Sequence, residues 1–162
     1  LVKLLTDLPD GVSITDLQYG RSAQDPQLPV LTLVVPEDEE EEFGEWLSEQ
    51  QVQAVDVTGE AEVSYRVIRY SPSLFRAPLF VEVEFPERAG ALRAFMREVS
   101  PLVSLCYFNY TYSGERVGRA LLGLDFPDAE SLRSGRQLVM ACAGKTVRAV
   151  KEVSLDHLGG AR

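Results

Sequence analysis

Histidine, tryptophan, cysteine and methionine are scarce in this 162-residue chain, with one, one, two and two copies. The single histidine, His157, lies in the tail "LDHLGGAR" (residues 155–162), so a Ser-His-Asp triad or a histidine-based metal centre is excluded. Cys106 and Cys142 are too few for a disulfide framework and show no Cys-x-x-Cys spacing; they read as two buried thiols. No stretch approaches the roughly 20 apolar residues of a membrane span, and the opening Leu1-Val2-Lys3-Leu4-Leu5 lacks the length and cleavage site of a signal peptide. The expected location is the cytoplasm or an organelle stroma, with no membrane partner. Positive charge is short as well. Sixteen Lys and Arg face 25 Asp and Glu, a net charge of -9 that opposes phosphate backbones, so nucleic acid is not an expected partner. Gly114 and Gly118 do not form a Gly-x-Gly-x-x-Gly turn, which leaves no dinucleotide site. No catalytic constellation appears, and the chain by itself reads as no enzyme, without catalytic residues, cofactor or metal.

What is present is a normal globular composition, 45% apolar and 25% charged, arranged as an internal repeat. A constant offset of 91 residues places Leu1 on Leu92, Val12 on Val103, Ser13 on Ser104, Tyr19 on Tyr110, Leu31 on Leu122, Leu33 on Leu124 and Pro36 on Pro127, without a gap. In the second copy, "LFVEVEF" (79–85) alternates as a half-buried strand, and Ala91, Leu92, Phe95, Met96 and Val99 follow at helical spacing. Two aromatic and β-branched strands, 102–112 and 117–126, flank the turn Ser113-Gly114-Glu115. A helix over 128–144 opens with acids and ends at glycine, and a strand over 146–153 closes the unit.

The pattern predicts an α+β fold: two ferredoxin-like β-α-β-β-α-β units in tandem. The first copy runs helix 1–8, strand 13–19, strand 29–35, helix 38–50 and strand 53–57, and lacks its opening strand. The divisions follow: a first unit over 1–59, a connection over 60–78, a second unit over 79–154 and a tail over 155–162. An absent central strand exposes unpaired backbone, so either the alternating segment "EVSYRVIRY" (62–70) or a second molecule is expected to fill the slot. The acidic run of residues 37–42 lacks an EF-hand pattern and reads as a solvated helix start.

One corner concentrates the chemistry. In "EVEFPERAGALRAFMREV" (82–99) the period changes from strand to helix through Pro86, which cannot donate to a sheet, and Gly90, which lets the chain turn closely. A helix N-terminus beside a sheet suits an amino-acid carboxylate, and the Glu87 side chain suits its ammonium group.

The sequence "FPERAGALRAF…LVSLCYFNYTYSGERVGRALLGLDF" resembles the C-terminal regulatory region of biosynthetic threonine dehydratase (threonine deaminase), built of paired ACT-like units with a Phe-Pro-Glu-x-x-Gly-Ala corner. The resemblance implies an allosteric domain that binds isoleucine, with valine as its antagonist, and controls an attached pyridoxal-phosphate catalytic domain in a homo-oligomer. It further implies effector contacts at Glu87, Gly90 and Ala91 and at the superposed tyrosines, Tyr19 and Tyr110. The chain departs from the family pattern where relatives carry arginine: Gly20 and Thr111 follow the two tyrosines, and Val12 stands at another such position. Arg21 and Arg88 are the substitutes nearest in sequence. Two other classes compete with this reading. One is a structural oligomerisation module without an effector; the other is an RNA-recognition sheet, for which Tyr107, Phe108, Tyr110 and Tyr112 are the stacking candidates.

Overall fold

A computed structural model describes residues 1–21, 23, 28–58, 71–86, 88, 90–111 and 117–154. In chain order the elements are α1 (Val2–Asp7), β1 (Ser13–Gly20), β2 (Val30–Val34), α2 (Glu40–Glu49), β3 (Ala77–Pro86), α3 (Ala91–Val99), β4 (Ser104–Thr111), β5 (Val117–Phe126), α4 (Ala129–Ala141) and β6 (Ala149–Glu152). The six strands form one antiparallel sheet in the order β2-β1-β4-β5-β3-β6. The four strands from β3 onward have their first strand inside and their second and fourth outside, the order of a ferredoxin-like unit.

Alternation decides which face of the sheet is covered. Along β3, Ala77, Leu79, Val81, Val83 and Phe85 are buried while Pro78 and Glu82 are exposed, so one face meets the helices. Facing it, α3 buries Ala91, Leu92, Phe95, Met96 and Val99, the five positions that helical spacing selects. Phe85 lies at the centre, edge-on to both Phe95 and Tyr110 with ring centroids 5.8 Å apart in each case. The Asp128 carboxylate caps α4 by accepting from the Ser131 amide at 2.7 Å. At the start of β3 the buried Asp125 accepts from the amides of Arg76 and Ala77 at 2.9 and 3.1 Å.

The ladder between β1 and β4 joins the two copies, and its register carries the repeat. A shift of 91 residues takes the pair Leu17–Tyr110 onto Phe108–Tyr19, itself a pair of this ladder, and takes Gln18–Asn109 onto itself. The backbone pairing thus has a local two-fold axis at Gln18 and Asn109. By the same logic α1 and α3 are counterparts, and they pack side by side across the junction.

The first copy departs from expectation where pairing is required. Residues 52–57 form no strand, and Val55 stays 83% exposed. The physical reason lies in the second copy, where the closing strand β6 pairs with the opening strand β3. Among the described residues no strand stands beside residues 53–57 as β3 stands beside β6. The segment 62–70, the expected filler, lies outside the described residues. Boundaries shift elsewhere: Glu37–Glu39 is a 3-10 turn ahead of α2, and the closing strand is cut to Ala149–Glu152 by turns after α4.

Candidate functional site

The corner that leads from β3 into α3 is built by two residues that cannot behave as ordinary chain. Pro86 is the last residue of β3, opposite Val117, and its carbonyl accepts from the Arg88 amide at 2.8 Å to turn the chain. Gly90 then takes φ 76° and ψ 4°, a left-handed cap, and its carbonyl accepts the Ala94 amide at 2.8 Å to start α3. Among the described residues no side chain caps this helix, and none lies within 4 Å of where a Cβ on Gly90 would sit. Ala91 is 4% exposed and anchors the turn to the core. Glu87 lies outside the described residues.

Strand direction settles which other residues share that end of the sheet. Pro86, Val117 and Thr111 stand at one end of β3, β5 and β4, and Asp16 of β1 lies opposite Thr111. Tyr110 belongs to this end. Its ring packs edge-on to Phe85, and its hydroxyl lies 2.8 Å from where a Cβ on Gly118 would sit. Tyr19 pairs with Phe108 toward the other end of the junction, beside Gly20 and Arg21. Its phenol pKa is raised, chiefly by burial, with the Arg21 charge opposing. The corner and Tyr110 are thus brought together, and Tyr19 occupies the symmetry-related position. Of the two cations near the expected site in sequence, Arg88 is at the corner and Arg21 is not.

The first copy reaches the corner through its α1–β1 connection. In the first turn of α3, Arg93 donates from Nη1 to the Asp10 carboxylate and from Nη2 to the Pro9 carbonyl, the latter at 2.7 Å. One turn later Arg97 donates from Nε to the Thr6 carbonyl at 2.9 Å. Both cations complement the carbonyl-rich C-terminal end of α1. Sequence reasoning missed this grip. Arg93 and Arg97 are four apart beside the apolar stripe of α3, a spacing that marks a shared face but not what lies opposite.

The other chemistry-bearing groups are spent inside the fold. Cys106 is fully buried and its thiol is pushed up to about 12, mainly by burial and then by the Asp125 charge. Cys142 is likewise buried and raised. Of the stacking candidates for RNA, Phe108 and Tyr110 are 0% and 7% exposed within the core, which removes them from a binding surface; Tyr112 lies outside the described residues. The three lysines, Lys3, Lys145 and Lys151, are all exposed. Among the described residues no group of acidic, cysteine or histidine side chains is placed to hold a metal, and no helix is long and apolar enough to cross a membrane. A groove of about 500 Å³ is lined by Glu82, Asn109, Arg119 and Leu121 among others, and reaches Thr111 and Val117 at the corner end of the sheet.

A β-α-β-β-α-β unit whose antiparallel sheet is extended by two strands of the first copy makes this an α+β domain of the ACT-like type. Residues 76–147 match the family model of the C-terminal regulatory domain of threonine dehydratase. The chain is also similar to the mitochondrial threonine dehydratase of Saccharomyces cerevisiae, 38% identical over 52 residues. That alignment covers 32% of this chain and 9% of the yeast protein, so the chain corresponds to a small part of its relative.

Proposed function

We propose that this domain senses a branched-chain amino acid at the Pro86–Ala91 corner and transmits its occupancy to a pyridoxal-phosphate threonine dehydratase domain to which it is attached. Isoleucine is the inhibitor in this reading and valine its antagonist. The observation that carries it is the left-handed Gly90 that opens α3 at the junction of the two copies, within a stretch that matches the regulatory family. An amino-acid carboxylate fits the open first turn of α3, the ammonium group fits Glu87, and Tyr110 forms the wall. Tyr19 holds the equivalent place in the other copy. The units divide at 1–59 and 79–154 around a connection of 60–78 and a tail of 155–162, and the setting is an aqueous compartment, cytoplasm or organelle stroma.

Titration calorimetry with L-isoleucine and L-valine tests the site. Binding by the wild type and its loss in Glu87→Ala support it; no heat with either amino acid refutes it. Joined to its catalytic domain, the region should make deamination isoleucine-sensitive, and identical kinetics with and without the region at saturating isoleucine refute the control. A second reading, an assembly module of a homo-oligomer without effector, is favoured by β2, whose outer edge is unpaired among the described residues. It predicts subunit association with no response to either amino acid.

A further inference from the structure

Resting on that sensor reading, we infer that Arg93 is the carboxylate-binding cation of the corner and that Asp10 occupies its place in the ligand-free state. Three observations converge on this pair. Arg93 stands three residues after Gly90 in the first turn of α3, a spacing that makes the two neighbours on one face of the helix. Its side chain is only 11% exposed, and its Nε is buried with no acceptor among the described residues while Nη1 and Nη2 hold Asp10 and the Pro9 carbonyl. A guanidinium sunk this far has already lost most of its hydration, so exchanging one carboxylate for another at Nη1 costs it no new desolvation. The third observation is the partner. Asp10 is 100% exposed and engages the guanidinium through a single oxygen, Oδ1, so this carboxylate is held by one contact and is otherwise in water. An incoming α-carboxylate presents the same group in the same charge state and would take the Nη1 contact in place of Asp10.

The exchange also explains how a site without the arginines expected beside Tyr19, Tyr110 and Val12 retains a cation. It comes from α3 of one copy, and the competing anion comes from the α1–β1 connection of the other. Ligand entry therefore releases one polar tie between the copies and leaves the Pro9 and Thr6 carbonyls bound to Arg93 and Arg97.

The test is calorimetry of the whole chain with L-isoleucine, L-valine and L-isoleucinamide, which lacks the carboxylate, on wild type, Asp10→Asn, Arg93→Gln and Arg93→Lys. Because Asp10 is fully exposed, Asp10→Asn should fold as wild type, which a melting curve checks. Asp10→Asn is expected to bind isoleucine about two- to fivefold more tightly, the worth of an exposed ion pair removed from competition. Arg93→Gln should weaken binding roughly tenfold or more, with Arg93→Lys between the two. Isoleucinamide should not distinguish the variants. If wild type and both Arg93 variants bind isoleucine with equal affinity, the Arg93 assignment is wrong and the sensor reading stands. If Asp10→Asn binds no tighter than wild type, the role of Asp10 as the resident anion is wrong. Absence of heat with isoleucine and valine in wild type and Asp10→Asn alike overturns both the sensor reading and this inference.

Discussion

Replacing Gly90 by alanine separates backbone conformation from ligand contact, because two other glycines in the chain provide matched controls. Gly90 and Gly144 share φ 76°, and a Cβ on either meets nothing within 4 Å among the described residues. The whole structural cost at both positions is therefore the left-handed backbone, about 1–2 kcal/mol for an L-residue. The stiffer unfolded chain returns about 0.4–1 kcal/mol, so the net loss is about 1 kcal/mol. For a chain of this length that lowers the melting temperature by about 2–4 °C. Gly44, inside α2 and equally unobstructed, has no positive φ, so Gly44→Ala should instead raise stability by up to about 1 kcal/mol through helix propensity. Thermal melts without ligand should give equal losses for Gly90→Ala and Gly144→Ala and a gain for Gly44→Ala. Calorimetry should then split the first two, with isoleucine affinity reduced only in Gly90→Ala, whose methyl group points into the open turn. A wild-type melting temperature for Gly90→Ala would refute the left-handed corner. Equal isoleucine affinity in Gly90→Ala and Gly144→Ala would show that the corner is a turn and no more.

Two other substitutions test the packing and capping arguments. Gly135 is buried in α4, and a Cβ there would sit 1.9 Å from Cε1 of Phe126, a ring only 1% exposed; overpacking of about 1–3 kcal/mol outweighs the roughly 1 kcal/mol of helix propensity, so Gly135→Ala should melt lower where Gly44→Ala melts higher. The carboxylate of Asp128, held below the usual carboxylate pKa chiefly by the Ser131 amide, stabilises the fold fully above the unfolded-state value near 3.9 and less as pH falls through the lower folded value. Melts across that range should show the Asp128→Ala deficit shrinking toward acid, and a deficit that grows toward acid would reverse the assignment.

How much of this was legible in the sequence depends on whether a pattern is local. The five buried residues of α3, the alternation of β3 and the Pro86–Gly90 handover each follow from residues within one or two turns of one another, and all appear in the structure. The 91-residue offset went further, because a repeat of that kind constrains pairing: the β1–β4 register maps onto itself under it. What sequence did not disclose is partnership. The strand expected over 53–57 had the right alternation, but a strand is stabilised by its neighbour, and none is present among the described residues. Arg93 was similarly hidden, since nothing near it in sequence indicates that Pro9 and Asp10 lie across from it.

The distribution of the core explains why a ligand at the corner would be felt by both copies. Before residue 77, the buried apolar residues among those described are Leu5, Leu8, Val12 and Leu17, and Leu5 and Leu17 belong to the same cluster as Phe85, Phe95 and Phe108 of the second copy. β2 and α2 bury none of their residues. The described part of the first copy therefore draws its order from the junction: the β1–β4 ladder, the apolar contact of α1 with α3, and the arginine ties beneath the corner. Segments with few buried contacts of their own open at low free energy, whereas the second copy holds a continuous core. An event that alters the α1–α3 contact shifts the weaker copy most, even when the ligand sits on the stronger one. Coupling of about 1–3 kcal/mol is the usual scale of allosteric control, comparable to a few such contacts and small beside the core of the second copy. The corner thus stands where a modest binding energy has the greatest structural effect, at the start of the helix that holds the two copies together.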